Sequence, residues 1–565
     1  MQPRCPDRNF DPQLLCSQGL LIWPVSEGLS FVSGRKLETA VELRAQMEQQ
    51  NMRRISGPEL QRLLERAINE SKADSVQQTI NGYGGNAEFC FAGIDWEKLR
   101  DMSDHRTLHL PLLQWGRNSL DFTGCDFGDG DITLSGKFDG SVRFEKVRFG
   151  QGNVSFANSV FRKFHFDGSF SGQGDVIFSG SRFHGTVRVS VSDLGHKNLN
   201  FGATTGEELP TYGPVLFYGD HLLLNIERSL GSTISFYQSQ IHSEHVYLDL
   251  TGAQALERVS FGMTQWHSTS VYIRGLQLSQ GKEPTLIVAK ASFEPVSMLT
   301  FDGVGMTHGR FIFDYVRFPV DGLTRFAFSD VRGGNITFFQ AHFANSVEFV
   351  HEAKCQFGAE LSLRGATVDG PLRIDGIGFG PVPNLIATEF KKHLDLSRVD
   401  FGVDMSWSAK RSEKDRGAKL QRLKELAEGN RNHGLALRCH AEEMKFNRFR
   451  NGLASWPAGI LDLMYEAASD YGQSIFRPCL WLLFTWIAFG LCYRESVDAL
   501  EHPFLFSFSW LLPFLPATGV LRETGFQSVF SEADASLYVL AGVQGFISFS
   551  LLFLIGLGFR NRFRI

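Results

Sequence analysis

The chain has 565 residues, enough for several domains, and a formal net charge of −5. That balance excludes the broad basic field a nucleic-acid-binding protein needs, so no nucleic acid is expected as partner. Eight scattered cysteines with no CxxC pair exclude a disulfide framework or zinc module and suit a reducing compartment, whereas 51 phenylalanines beside 57 glycines point to a fold that repeats Phe in its core.

Residues 1–84 read as a separate helical or mixed cap. KLETAVELRAQMEQQNMRR is rich in helix formers, and SGPELQRLLERAINE opens with Ser56 as cap and Pro58 in the first turn. No motif there carries chemistry. It reads as the cover of the repeat region that follows.

Residues 85–403 read as the repeat domain, and from about residue 119 the chain is periodic. The unit is apolar, any, apolar, then a further apolar residue five positions on. It reads VSFANSVF at Val154, Phe156 and Phe161, VIFSGSRF at Val176, Phe178 and Phe183, and FIFDYVRF at Phe311, Phe313 and Phe318. Twelve such copies lie between Val142 and Phe401, and internal repeats outrank local propensity as evidence. Alternation makes a short strand with one buried face, and Gly, Asp, Asn and Ser supply the corners. Copies are often 11 or 12 residues apart, so two copies are expected to make one turn of roughly 22–24 residues. Stacked at about 4.8 Å, such turns predict a mainly β fold, a parallel β-solenoid with Phe on Phe inside.

Residues 404–470 read as a helical linker. AKLQRLKELAEG and HGLALRCHAEEMKFNRFRN are two helices turned by GNRNHG, covering the open end of the solenoid. An amphipathic stretch, WPAGILDLMYEAASDYG, then brings the chain to a membrane domain at 471–565. There PCLWLLFTWIAFGLCY (478–493) predicts a first membrane helix over about 476–493, if Arg477 snorkels, and the uncharged run ASLYVLAGVQGFISFSLLFLIGLGF predicts a second over about 536–559. The uncharged run 503–521 between them carries Pro503, Pro513 and Pro516, too many prolines for a straight span, so a short re-entrant helix Phe504 to Leu512 is expected.

Charge sets orientation. Residues 410–450 carry 12 Lys or Arg and the tail adds Arg560, Arg562 and Arg564, whereas 494–536 holds two basic residues against six acidic ones. The positive-inside rule places both chain ends in the cytoplasm, with Arg477, Arg560, Arg562 and Arg564 as topology anchors. No basic-then-apolar leader opens the chain, so everything before Arg477 is expected to be cytoplasmic.

The five-residue spacing resembles that of pentapeptide-repeat proteins. YGQSIFRP (471–478) and FLIGLGFRNRFRI (553–565) resemble bacterial pentapeptide-repeat membrane proteins with a cytoplasmic repeat domain and two membrane helices. That resemblance implies a four-sided, right-handed β-helix and a bacterial inner membrane. Interruptions such as GQGN and GQGD depart from the family and predict a looser coil. The helix–short helix–helix layout is similar to the pore domain of two-transmembrane potassium channels. No Thr-Val-Gly-Tyr-Gly filter lies between the helices, so potassium selectivity is not implied.

A channel-like reading assigns Ser507, Ser509, Thr518, Gln544, Gly545 and Ser548 to a pore lining, with Glu501 and Glu523 at its mouth. Two helices per chain cannot enclose a conduit, so this reading requires a homo-oligomer, and Ala541, Gly545 and Gly556 form a small-residue stripe suited to close helix packing. The solenoid would then sense or scaffold, binding a cytoplasmic protein and controlling the pore. Two alternatives are a non-conducting membrane-tethered scaffold and a conditional membrane-disrupting effector. No GxSxG, P-loop or HExxH occurs, so no enzyme and no cofactor are expected. Asp121, Asp126, Asp129 and Asp131 in DFTGCDFGDGD lack the closing Glu of a calcium loop, and His440 with Glu443 lacks a third ligand, so no metal is expected either.

Overall fold

A computed structural model describes residues 53–565 except 69–72, 84–86, 103–106, 110–113, 204–211, 254–255, 279–282, 352–356, 393, 396–398, 402–414, 449–455, 497–501, 513–517, 521, 524–534 and 563–565. The first 52 residues, and with them most of the expected N-terminal cap, lie outside that set.

Strand His221–Ile226 shows how the repeat folds. Its side chains alternate in and out, so Leu222, Leu224 and Ile226 are buried while their neighbours are half-exposed. Leu222 pairs in parallel register with Val187 on one side and Val246 on the other, and Val246 pairs onward with Val271. Every described strand pairing is parallel to the coil above or below, giving a parallel β-solenoid of about 10 turns. The long strands Lys137–Phe149 and Val160–Phe170 turn two corners each, where their mutual register shifts. Phe138 pairs with Phe161, Phe144 with Phe166 and Phe149 with Phe170, which makes three sides. A separate side pairs Val154 with Val176, so the coil is four-sided there.

Coil length is not constant. Phe161 pairs with Phe183 and Ile241 with Trp266, steps of 22 and 25 residues, and the Phe183–Phe217 pairing spans an insertion. Inside, equivalent rings stack: Phe156–Phe178 and Phe178–Phe201 at 4.8 Å, Phe201–Phe236 and Phe313–Phe338 at 4.7 Å. The spacing is that of adjacent strands, so each ring continues the column below it.

One corner of the repeat is left-handed whichever residue occupies it. Asn158, Gln238, Met263, Lys290, Tyr315 and Gln340 have φ between 51° and 61°, and Gly180 and Gly365 hold the same place. Sequence alone expects Gly, Asn, Asp or Ser there. The amides at these corners donate to the next coil, for example Met263 N to Ala289 O and Lys290 N to Asp314 O at 2.9 Å, and that ladder holds bulkier residues in the unusual conformation.

Helices close both ends. At the start, α1 (Gly57–Ile68), α2 (Ala73–Gly82) and α3 (Trp96–Met102) contribute Leu60, Leu64, Val76, Ile80, Trp96 and Leu99 to the same continuous core as the Phe columns. At the far end, α4 (Arg416–Gly429) and α5 (His433–Asn447) form a hairpin, with Asn432 capping α5 by accepting from Leu435 N at 3.1 Å. Leu420, Leu423 and Ala427 enter the core, Lys419 Nζ lies 2.7 Å from Glu360 Oε1, and Arg422 Nη2 donates to Thr388 O at 2.7 Å. The last strands therefore meet a helix rather than an open edge. Then follow α6 (Trp456–Ser469), α7 (Phe476–Ser496), α8 (Pro503–Leu511) and α9 (Ala535–Arg562).

Candidate functional site: the polar seam between the apolar helices

At 1.5 Å per residue, the 21 residues of α7 and the 28 of α9 reach about 31 and 42 Å, against a hydrocarbon core of about 30 Å. Both helices are long and apolar enough to cross a membrane. They run antiparallel. Asn561 Nδ2 near the end of α9 donates to Gly472 O just before α7 at 3.2 Å, while Tyr493 near the end of α7 reaches Gln544 in the first half of α9. The start of α7 and the end of α9 thus lie at one end of the pair.

Helix α8 begins with Pro503 in its first turn, where no amide partner is needed, and ends at Leu511, shortly before Pro513. It lies back along α7. A Cβ on Gly490 would stand 2.5 Å from Phe504 Cδ1, so only glycine admits the approach. Trp486 Nε1 donates to Phe504 O at 2.8 Å and Ser507 Oγ donates to Trp486 O at 2.9 Å.

Of the residues assigned to a pore, Gln544 and Ser507 meet inside the single chain. Gln544 is fully buried; its Nε2 donates to Ser507 O at 2.9 Å and shares 2.8 Å with Ser507 Oγ, while its Oε1 accepts from Tyr493 OH at 2.8 Å. Three helices are thereby tied through one amide. Ser509 Oγ donates to Phe506 O at 2.6 Å and Thr518 Oγ1 to Leu512 O at 2.7 Å, each side chain being buried. Ser548 is buried too, with no hydrogen bond to its hydroxyl among the described residues. Gly545 faces the Trp510 ring, and Ala541 is buried, so those two small residues serve packing within the chain. Gly556 differs: among the described residues nothing on another element lies within 4 Å of where its Cβ would be.

The outward faces are apolar. Phe546, Phe549 and Phe553 of α9 and Phe484 of α7 are all more than 60 % exposed. Ser550 turns its hydroxyl back to Phe546 O at 2.8 Å. Glu523 is exposed and Glu501 lies outside the described residues, as does Arg564; Arg560 and Arg562 are exposed at the shared end. Arg477 Nη2 lies 3.5 Å from Asp470 Oδ2.

Sequence reasoning missed Tyr493. The signal was a phenol hydroxyl closing a run whose one other hydroxyl belongs to Thr485. It also missed the role of Arg448, counted only as positive charge: its guanidinium joins Asp462 at 2.5 Å and Glu466 at 2.6 Å, binding the hairpin to α6.

The acidic turn at 121–131 is structural. Asp121 Oδ1 accepts from Thr123 N at 3.0 Å and Asp126 Oδ1 from Gly128 N at 3.1 Å. Asp129 and Asp131 accept from the amides of Gln151 and Asn153 in the next coil at 2.8 and 2.7 Å. A ladder of such contacts continues through Asn153 to Asp175 N at 2.9 Å, and the buried ammonium of Lys197 donates to the carbonyls of Gly152 and Gln173 beside it. His440 Nδ1 lies 3.9 Å from Glu443 and 3.3 Å from the Lys424 ammonium; burial, then that ammonium, pushes its pKa down. Among the described residues no three His, Cys, Asp or Glu side chains gather as a metal site.

Comparison with family models, curated proteins and solved structures found no match to this chain.

Proposed function

We propose that this protein is a membrane-tethered scaffold: a cytoplasmic β-solenoid that binds a protein partner, held at the bilayer by a sealed, non-conducting two-span anchor. The reading rests on one observation, the closed contact of Gln544 with Ser507 and Tyr493. A conducting pathway needs polar groups that face it. Here the candidate groups are turned into the chain's own helix seam, and the faces left for a neighbouring copy or for lipid are apolar. These contacts favour the scaffold alternative over the channel-like reading.

The end of the helix pair that bears Arg477, Arg560 and Arg562 is assigned to the cytoplasm by the positive-inside rule. The twelve-basic stretch at 410–450 supports the same side. Resemblance to pentapeptide-repeat membrane proteins supports a bacterial inner membrane, and the lack of GxSxG, P-loop and HExxH motifs supports a non-enzymatic role.

Planar-bilayer recording of the purified full chain tests the anchor. The expected result is an absence of channel currents, unchanged by Gln544→Ala. Stepwise currents that Gln544→Ala or Ser548→Leu alters would overturn it. A phosphatase fused after Arg562 and active in the periplasm would overturn the orientation.

A further inference from the structure

Helix α6 exposes more large apolar surface than a helix standing in water would. Trp456, Ile460, Leu461, Leu463 and Met464 are 55, 47, 67, 50 and 61 % exposed, all on 14 residues. At 100° per residue these five and Ala467 fall on one arc, which carries no charge. The opposite arc holds the helix's two charged residues, Asp462 and Glu466. Both are bound by Arg448 of the hairpin, and Lys445 Nζ lies 3.6 Å from Glu466. The polar face is thus already partnered, whereas Ile460, Leu461, Leu463 and Met464 stay largely exposed on the apolar one.

Its position relative to α7 says what covers the apolar face. Trp481 Nε1 donates to Ala467 O at 3.1 Å, and Arg477 Nη1 to Glu466 O at 3.3 Å. Trp481 lies five residues into α7, about 7.5 Å along its axis. The last turn of α6 therefore sits at the depth of the first turns of a candidate span, whose Phe476 and Leu480 are 70 and 48 % exposed. A bilayer that takes up α7 takes up this arc with it. We infer that α6 is a third membrane contact: an interfacial helix lying in the headgroup–acyl boundary, with Trp456, Ile460, Leu461, Leu463 and Met464 in lipid and Asp462 and Glu466 held by the hairpin. Because the helix satisfies its own backbone, it can lie there without spanning. Because its apolar arc has no basic residue, it needs no anionic lipid. The consequence is that the solenoid's cap is fixed about one helix diameter from the membrane surface.

This inference rests on the reading of α7 and α9 as spans, and the test separates the two. The full chain is reconstituted in phosphatidylcholine vesicles brominated at shallow or deep acyl positions, with and without anionic lipid. Wild type minus Trp456→Phe isolates the fluorescence of one indole among nine. Expected is Trp456 quenching that is stronger from shallow bromines, equal in neutral and anionic vesicles, and reduced about twofold by Leu461→Lys with Met464→Lys. Those variants should still float with the vesicles and keep the far-UV spectrum of the solenoid. Floating protein whose Trp456 is not quenched overturns the inference, and a Leu461→Lys change in oligomer mass would then assign the face to a second copy. Protein that does not float overturns the spans and this inference together.

Discussion

Gln544 and Ser507 lie 37 residues apart in the chain, yet the Gln544 amide stands 2.9 Å from the Ser507 carbonyl and 2.8 Å from its hydroxyl, buried between three apolar helices. In such surroundings a lost partner leaves a polar group with neither water nor protein. Gln544→Leu is expected to destabilise the full chain in detergent by about 1–2 kcal/mol, and so is Tyr493→Phe by a smaller amount. The double variant should fall short of the sum by roughly 0.5–1.5 kcal/mol, because both remove one contact. Strict additivity in equilibrium unfolding would mean that the two side chains do not act together.

The Phe columns carry the solenoid. Phe313 is buried and stacks on Phe338 at 4.7 Å, so Phe313→Ala is expected to cost about 3–5 kcal/mol. Its neighbour Tyr315 is 47 % exposed, and Tyr315→Ala should stay within about 0.5 kcal/mol. Hydrogen exchange should show the Phe313→Ala loss concentrated in the adjoining coils, since solenoid stability is nearly a sum over neighbouring turns. Uniform loss along all coils would contradict that.

The left-handed corner gives a backbone test free of packing. At Gly365, φ is +67° and, among the described residues, an added Cβ would meet only Gln340 Cγ at 3.5 Å. Gly365→Val should cost about 1–2 kcal/mol through conformation alone, and Gly365→Asn well under half of that. Equal costs for the two, measured by thermal unfolding, would point to sterics instead.

Arg448 ties the hairpin to α6, and its contacts are largely shielded: the side chains of Arg448 and Asp462 are 12 and 9 % exposed. Arg448→Ala is expected to cost about 3 kcal/mol, because Asp462 then keeps only the Tyr471 hydroxyl and Glu466 only the more distant Lys445 ammonium. Burial raises the Glu466 pKa, but the Arg448 hydrogen bond and the charges of Arg448 and Lys445 outweigh it, so the carboxyl is held below its ordinary value of 4.5. A depressed carboxylate stabilises the fold above its unfolded pKa, and that stabilisation is lost as pH falls through the folded value. The gap in Tm between wild type and Arg448→Ala should therefore shrink below about pH 4.5. A gap that is constant down to strong acid would assign the effect of Arg448 to packing.

The sequence by itself determined the solenoid and the two long apolar helices that follow it. Alternation and a repeated Phe beat are local signals: a residue such as Phe156 has the same inward fate in every coil, so its own neighbours in sequence reveal it. It also placed a short helix before Pro513, because proline ends helices by covalent geometry. What only the tertiary structure decided is where the polar groups point. Gln544 and Ser548 share a helix face whether that face lines water or a packed seam, and the choice depends on Ser507 and Tyr493, which arrive from other helices. The corner conformation of Met263 and Lys290 was likewise invisible, because it is held by amide contacts to the next coil and not by the residues' own preference. The same holds for α6, whose amphipathic pattern fits any surface until the depth of Trp481 beside Ala467 is known.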